Sequence, residues 1–470
     1  MTNGIKNYSK IPVVIMAGGL GKRARSIDDN VPKPLIPIDG KPILLWELEC
    51  LISQGYTNII LTLSYKAAQI QDYFGDGSKY GCSIRYYIEE TPLGNAGALF
   101  KLMLQGQPLS EGAGARDFLL LNADSMFDID FDRFVQRHID ADALATLFVH
   151  PSNHIDDSGL IVTDKNGWVE SWLTKEDRRP EFYHNCANAG VHVLSTRLLA
   201  SLINDGTIKP ELLGTVDTKT GMVIKADLDR QILKPLAFDA SGEKRMLAVC
   251  SPEYVKDMGT PERFEQVKKD LNSGLVHSRN LSRPQKAIFL DRDGTINKYK
   301  GFIRAAGDIE LINGVSEAIT EINLSGYLAI VVTNQPVIAR GEVSWSELES
   351  INNKLETELA HEGAYIDAIY ICPHHPDKGF EGERVEYKVD CDCRKPKPGL
   401  LIKAAQDFNI SMEDSWMIGD SWRDIECGKL ANCRTVLLNG ICTEGEDKKC
   451  TPDYVCDSLF DAVRKIMNID

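Results

Sequence analysis

The sequence predicts an α/β chain built from two doubly wound, mostly parallel sheet domains. Three observations carry this. At 470 residues the chain exceeds what one hydrophobic core serves. Apolar runs of strand length alternate with segments of helical period, the order that gives parallel sheets. Two of those runs stop abruptly, one at glycines and one at acids, where open parallel sheets bind ligands at their carboxyl edges. The expected units are residues 1–271 and 286–470. Between them, 272–285 mixes Asn, Gly, Ser, His, Arg and Pro with little periodicity and reads as a linker.

In order, the first half opens with a buried-strand run over 11–17, followed at once by Gly18-Gly19-Leu20-Gly21-Lys22-Arg23. Val31-Pro32-Lys33-Pro34-Leu35 comes next, then a helical pattern over 43–54. Strands are expected over 58–63, 84–89, 118–122, 143–150 and 190–194, and a helix over 252–267 closes this half. The second half opens on Ala287-Ile288-Phe289-Leu290, a strand, and continues with helices near 314–324 and 344–361. Its further strands are 328–332, 368–371, 415–418 and 435–438. The halves show no internal repeat and no low-complexity segment.

Composition narrows the partners. Hydrophobic residues at 43% and charged residues at 26% are those of a soluble globular protein. A net charge of −15 argues against nucleic acid, so any phosphorylated substrate must be met by local cations or Mg²⁺. No apolar stretch reaches membrane-spanning length, and the first ten residues lack the apolar core of a secretory signal. The expectation is a cytoplasmic enzyme of small molecules with no membrane partner; the sequence leaves a homo-oligomer open. Most of the twelve cysteines are scattered singly, as free thiols in a reducing compartment are.

The residue chemistry is sharper at four places. A strand feeding Gly18, Gly19 and Gly21 exposes backbone N–H groups to a phosphate. Arg23 can bridge phosphate oxygens, and the flanking prolines stiffen the backbone of Lys33. Asp291 and Asp293 end a buried strand, and Gly294 lets the chain turn; two carboxylates so close call for a cation such as Mg²⁺. Cys372-Pro373-His374 and Cys391-Asp392-Cys393 are two close ligand pairs joined by a polar loop. Three thiolates and an imidazole suit a closed, structural Zn²⁺ site, and Arg394 and Lys395 follow the last ligand directly.

The first half resembles the sugar-1-phosphate nucleotidyltransferases over about residues 11 to 270. Gly18-Gly19-Leu20-Gly21-Lys22-Arg23 and Pro32-Lys33-Pro34-Leu35 match that signature. Further matches are Glu90-Thr91-Pro92-Leu93-Gly94-Asn95-Ala96-Gly97, Leu121-Asn122-Ala123-Asp124-Ser125, Asn188-Ala189-Gly190-Val191 and Lys256-Asp257-Met258-Gly259-Thr260-Pro261. The resemblance implies a Rossmann-like domain in which Asp124 and Asp257 hold Mg²⁺ and Arg23 and Lys33 stabilise the departing pyrophosphate. It also implies that Gly94 lines the nucleoside and sugar pocket, with Asn188 and Lys175 on the sugar. Trp172-Leu173-Thr174-Lys175 departs from the family's Glu-Lys pair, keeping only the lysine.

The second half resembles the haloacid-dehalogenase-like phosphatases through Asp291-Arg292-Asp293-Gly294-Thr295, Val331-Val332-Thr333-Asn334-Gln335, Lys395 and Gly419-Asp420-Ser421-Trp422-Arg423-Asp424. It implies that Asp291 is the nucleophile and Asp293 the acid and base, with Thr333 and Lys395 on the phosphoryl oxygens. Mg²⁺ then sits on Asp291, the Asp293 carbonyl and Asp420, and Asp424 supports it or Lys395. Asn334 and Arg394 are the expected substrate contacts.

The zinc pattern resembles the D,D-heptose 1,7-bisphosphate phosphatase branch, with Cys372, His374, Cys391 and Cys393 as ligands and His375 a bystander. No segment between the motifs is long enough for a cap. Together the two resemblances imply consecutive steps, heptose bisphosphate to heptose 1-phosphate and then, with GTP, to GDP-heptose. Rival readings are a hexose 1-phosphate enzyme fused to a histidinol-phosphate-like phosphatase, and a sensor of sugar nucleotides.

Overall fold

The computed structural model of the protein describes residues 11–19, 31–105, 109, 116–153, 155, 158–237, 243–379, 381–439 and 450–468. The chain divides into two compact units. One comprises Met1–His150, Gly159–Thr174 and Asn188–His277; the other comprises Pro151–Ser158, Lys175–Ala187 and Ser278–Asp470.

In the first unit, β1 (Val13–Met16), β2 (Asn58–Leu63), β3 (Ser83–Ile88) and β4 (Asp117–Asn122) lie side by side in the order β3-β2-β1-β4, all parallel. Val13, Val14 and Ile15 are fully buried, as a strand covered on both faces requires. Helices α1 (Ile43–Ser53), α2 (Ala67–Phe74), α3 (Gly97–Leu104) and α4 (Phe131–Ala141) alternate with the strands. Beyond β4 the sheet turns mixed. After the short β5 (Ser125–Asp128) and β6 (Ala145–His150), the chain forms an antiparallel hairpin of β7 (Leu160–Thr163) and β8 (Val169–Leu173). The long β9 (Ala187–Ser195) then runs antiparallel to β4, and α5 (Thr196–Asn204) follows it. Met246–Cys250 (β10) pairs in parallel with β6.

The helix expected over 252–267 is corrected. Tyr254–Asp257 is a strand, β11, and the helix α6 starts only at Pro261 and runs to Asn272. Thr260 caps it by accepting from Arg263 N, and Pro261 sits where its missing N–H costs nothing. The β11 strand pairs antiparallel with β5, placing Asp257 opposite Ser125.

The second unit is a six-stranded parallel sheet in the order β14-β13-β12-β15-β16-β17. These are Lys286–Leu290 (β12), Tyr327–Asn334 (β13), Ala368–Cys372 (β14), Trp416–Gly419 (β15), Arg434–Leu438 (β16) and Tyr454–Cys456 (β17). The connecting helices are α7 (Val315–Asn323), α8 (Trp345–His361), α9 (Gly399–Phe408), α10 (Trp422–Leu430) and, after β17, α11 (Leu459–Met467). The order reverses between β12 and β15, the crevice where doubly wound sheets bind ligands. Asp291 follows β12 and Asp420 follows β15. The segment 278–285, read from sequence as part of a linker, is built into this unit: Arg279 is buried and its Nη1 lies 3.0 Å from Asp367 Oδ1. Among the described residues no helix is long and apolar enough to cross a membrane.

Two candidate active sites

A cavity of about 520 Å³ opens at the carboxyl ends of β1, β2 and β4 in the first unit. Gly18, Gly19, Lys33, Gly94, Asp124 and Asp257 all line it, as the motifs predict. Lys33 sits in a 3₁₀ turn begun by Pro32, and its Nζ lies 2.6 Å from Asp124 Oδ2. The β5–β11 pairing brings the second carboxylate in, with Met258 N donating to Asp124 O at 2.9 Å. Arg263 Nη1 holds Asp257 Oδ2 at 2.5 Å. Asn188 does not line the cavity; its Oδ1 accepts from Gly190 N at 3.3 Å. Lys175 groups with the second unit, and Gly21 and Arg23 lie outside the described residues.

Sequence reasoning missed Glu47. It is buried on α1, and its Oε1 accepts from Ser125 N at 3.1 Å, which supports the turn that carries Asp124. Burial above all holds its carboxyl well above the usual range, against the Ser125 N–H, with Asp124 adding. No pattern marked it, because a lone Glu in an amphipathic helix looks like any other.

The second unit holds a cleft of about 260 Å³ lined by Asp291, Asp293, Thr333, Asn334, Arg394, Lys395, Asp420 and Asp424, every phosphatase residue the motifs selected. Lys395 is its centre. Its Nζ lies 2.7 Å from both Asp291 Oδ1 and Asp424 Oδ1 and donates to Val332 O at 2.8 Å. Burial pulls the ammonium down, but the two carboxylates outweigh it and hold it above the ordinary lysine range. Asn334 fixes the lysine backbone twice, accepting from Lys395 N and donating to Lys395 O, both at 3.1 Å. Asp424 also closes the capping box of α10, accepting from Ser421 N at 3.1 Å.

Gly294 has φ +91°, and a Cβ there would lie 2.1 Å from Asp420 Oδ2, so only glycine lets the two loop ends meet. Asp293 accepts from both Arg292 nitrogens, from Asn297 and from Gln335, at 2.8 to 3.1 Å. Burial raises its carboxyl, yet these partners, Arg292 foremost, bring it below the usual range. Gln335 also donates to Thr333 Oγ1 at 2.9 Å. His375, read as a bystander, lines the cleft together with Tyr299 and Arg423.

Oxygens of Asp291, Asp420 and Asp424 lie within 4.8 Å of one another. Burial first, with the neighbouring carboxylates, pushes Asp291 up to about 6 and Asp420 up to about 8. Such a donor set fits a hard divalent cation such as Mg²⁺. A second set joins the end of β14 to the loop before α9. Cys393 Sγ lies 3.3 Å from Cys372 Sγ, 3.2 Å from Cys391 Sγ and 3.2 Å from His374 Nδ1. Cys372 Sγ lies 3.7 Å from Cys391 Sγ and 3.8 Å from His374 Nδ1. The edge of a tetrahedron with arms of about 2.3 Å is about 3.8 Å, so the four atoms fit zinc dimensions closely.

In protein stripped of divalent cation, stability is expected to fall as pH rises. Folding raises Asp291 and Asp420 from 3.8 to about 6 and about 8, so the folded state binds more protons across that window. The stability they confer is complete below pH 3.8 and lost as pH climbs through about 8. Thermal melts in chelator over that range, repeated with Mg²⁺, check this: the decline should flatten when the cation is present. A metal-free melting temperature independent of pH would contradict it.

The nucleotidyl transferase family model matches residues 12–273, and a HAD-hydrolase-like model matches residues 392–462. D-glycero-beta-D-manno-heptose-1,7-bisphosphate 7-phosphatase from Pasteurella multocida (strain Pm70) is 40% identical over 187 residues, 39% of this chain and 98% of that protein. The crystal structure of HddC from Yersinia pseudotuberculosis complexed with GMP-PN is similar at 25% identity and a TM-score of 0.41, covering 56% of this chain and 99% of that one. That of D,D-heptose 1,7-bisphosphate phosphatase from B. bronchiseptica is similar at 28% identity and a TM-score of 0.33, covering 40% of this chain and 100% of that one. With the motifs, the cavities and these matches together, the chain belongs to the nucleotidyl transferase family in its first half and to the haloacid-dehalogenase-like phosphatases that include the Pasteurella protein in its second, and is both a transferase and a phosphatase.

Proposed function

We propose that residues 286–470 remove the 7-phosphate of D-glycero-α-D-manno-heptose 1,7-bisphosphate and that residues 1–271 couple the resulting heptose 1-phosphate to GTP, giving GDP-heptose and pyrophosphate. The observation that carries this is the Asp291–Lys395–Asp424 cluster, in a half that matches a heptose bisphosphate phosphatase over nearly all of that protein's length. Its product class, a sugar 1-phosphate, is what a sugar nucleotidyltransferase consumes.

In the phosphatase cleft, Asp291 is the nucleophile and its attack gives an aspartyl-phosphate. Lys395 and Thr333 hold the transferring oxygens. Asp293 gives the leaving sugar oxygen its proton. Paired as it is with Arg292, it must take up that proton when the phosphate dianion arrives beside it and lifts its pKa. It then serves as base toward water in the second step. Asp291, Asp420 and the Asp293 carbonyl would hold Mg²⁺, which offsets charge on the phosphoryl group. Cys372, His374, Cys391 and Cys393 would hold a structural Zn²⁺ that orders the loop carrying Arg394 and Lys395.

In the first unit an oxygen of the sugar phosphate attacks the α-phosphorus of the triphosphate and pyrophosphate leaves. Lys33 and Arg23 stabilise charge on the departing group, and Gly18, Gly19 and Gly21 offer N–H groups. Asp124 and Asp257 would hold the Mg²⁺ that neutralises the phosphates.

The test supplies the α- and β-anomers of the bisphosphate separately and follows phosphate, then adds single NTPs and follows pyrophosphate. Release from the α-anomer followed by GTP-dependent pyrophosphate supports the reading. The Pasteurella relative is named for the β-anomer, so preference for β would replace α, and no release from either would end the heptose assignment.

A further inference from the structure

The cavity of the first unit carries two charged side chains that no motif selected and that the chemistry above does not use, Glu89 and Lys225. Glu89 ends β3 and accepts from Leu93 N at 3.1 Å, which turns its carboxylate toward the 89–97 loop. Lys225 comes from 130 positions further on, and its backbone is fixed there. Ala226 N donates to Leu93 O at 2.9 Å, Ala96 N donates to Ala226 O at 3.2 Å, and Leu228 N donates to Asn95 Oδ1 at 2.7 Å. Gly94 shows how close the approach is: with φ +85°, a Cβ there would lie 2.3 Å from Ala226 O. The lysine side chain itself is exposed, and among the described residues neither it nor Glu89 has an ion-pair partner. Opposite charges thus line one stretch of the cavity without neutralising each other.

Their place in the sheet says what they face. The glycine turn that meets phosphates follows β1, while Glu89 follows β3, two strands away in the order β3-β2-β1-β4. Two strand spacings are roughly 10 Å, the span of a nucleoside from its 5′-phosphate to the far edge of its base.

We propose that Glu89 and Lys225 select the base of the nucleoside triphosphate, the carboxylate accepting from guanine N1–H and N2–H and the ammonium donating to O6. This rests on the nucleotidyltransferase reading and gives its choice of GTP a physical basis. Guanine offers acceptors at O6 and N7. Adenine places an amino donor where the ammonium stands and a bare ring nitrogen where the carboxylate stands, so both contacts invert. Cytosine inverts them likewise. Uracil and thymine keep O4 and N3–H but turn a second carbonyl toward the carboxylate. A site built for charged hydrogen bonds rejects bases that leave its groups unmatched.

The experiment measures KM and kcat for GTP, ITP, ATP, UTP and CTP with a fixed sugar 1-phosphate, for the natural protein, Glu89→Gln and Lys225→Met. The natural protein should rank GTP first, with ITP, which lacks the 2-amino group, behind it. Each substitution should raise the KM for GTP at least about tenfold, cut the GTP-to-ATP preference by a similar factor and leave the KM for the sugar phosphate unchanged. Phosphatase activity, read in the same samples, reports that the chain is folded. Variants that keep the GTP-to-ATP ratio within about twofold, or that change only the sugar-phosphate KM, overturn the proposal. A natural protein that transfers no nucleotide overturns the parent reading instead.

Discussion

Asp291→Asn should abolish phosphate release, by at least about ten-thousand-fold, and leave nucleotidyl transfer at its original rate. An amide cannot form the aspartyl-phosphate, so the loss falls on kcat. The variant is expected to fold, because Lys395 keeps Asp424 Oδ1 at 2.7 Å and the Val332 carbonyl at 2.8 Å. It also removes one of three clustered acids. Asp291 is pushed up to about 6 chiefly by burial, so in metal-free protein above that pH the asparagine variant should melt higher than the natural chain. Phosphate release, pyrophosphate release and a metal-free melt on one preparation check all three. Residual phosphatase activity within about a hundredfold would remove Asp291 from the nucleophile's place. Asp124→Asn is the reciprocal case: pyrophosphate release should fail and phosphate release persist.

The phosphatase site was almost wholly legible in the sequence, and the physical reason is local. Asp291, Thr333, Asn334 and Asp420 each sit at or just past the end of a fully apolar strand, so knowing the strands meant knowing the crevice. Parallel strands buried on both faces write themselves as unbroken apolar runs. What failed was alternation. The hairpin of β7 and β8 and the β5–β11 pair are short, half-buried and antiparallel, and they left no run to see. Tyr254–Asp257 was taken into a helix because the pattern that follows it is helical; Pro261 marks where that helix begins.

Contacts remote in sequence were out of reach altogether. Lys225 reaches its cavity only because Leu228 meets Asn95, 133 positions away, and nothing in Lys219-Thr220-Gly221-Met222-Val223-Ile224-Lys225 announces that. Lys175 failed for the opposite reason: its motif is intact in part, but the segment 175–187 is held elsewhere. There His184 Nδ1 meets Glu356 Oε2 at 2.6 Å, and Tyr183 N donates to Thr357 Oγ1 at 3.0 Å.

The zinc set makes the other large prediction. Cys393→Ser should lower phosphatase kcat by about a hundredfold or more, again with nucleotidyl transfer intact. Three thiols and an imidazole crowded to 3.2–3.8 Å cannot all be ligand-like without a cation: the Cys372 thiol is driven up while Cys393 is pushed down to about 5, each mainly through its hydrogen bond with the other. Cys393 lies two residues before Lys395. The rest of what holds the lysine backbone is the Asn334 pair and Arg394, which donates to His374 O at 3.1 Å, and His374 is itself in the set. Losing the ion therefore frees both ends of the loop at once and leaves Asn334 alone to order it. The ammonium then spends less time between Asp291 and Asp424, which lowers kcat more than it raises KM. Zinc content by metal analysis should fall from one per chain to none in the variant. Serine at 393 with phosphatase kcat within about twofold of the original would show that Asn334 suffices and that the metal site does not govern the catalytic lysine.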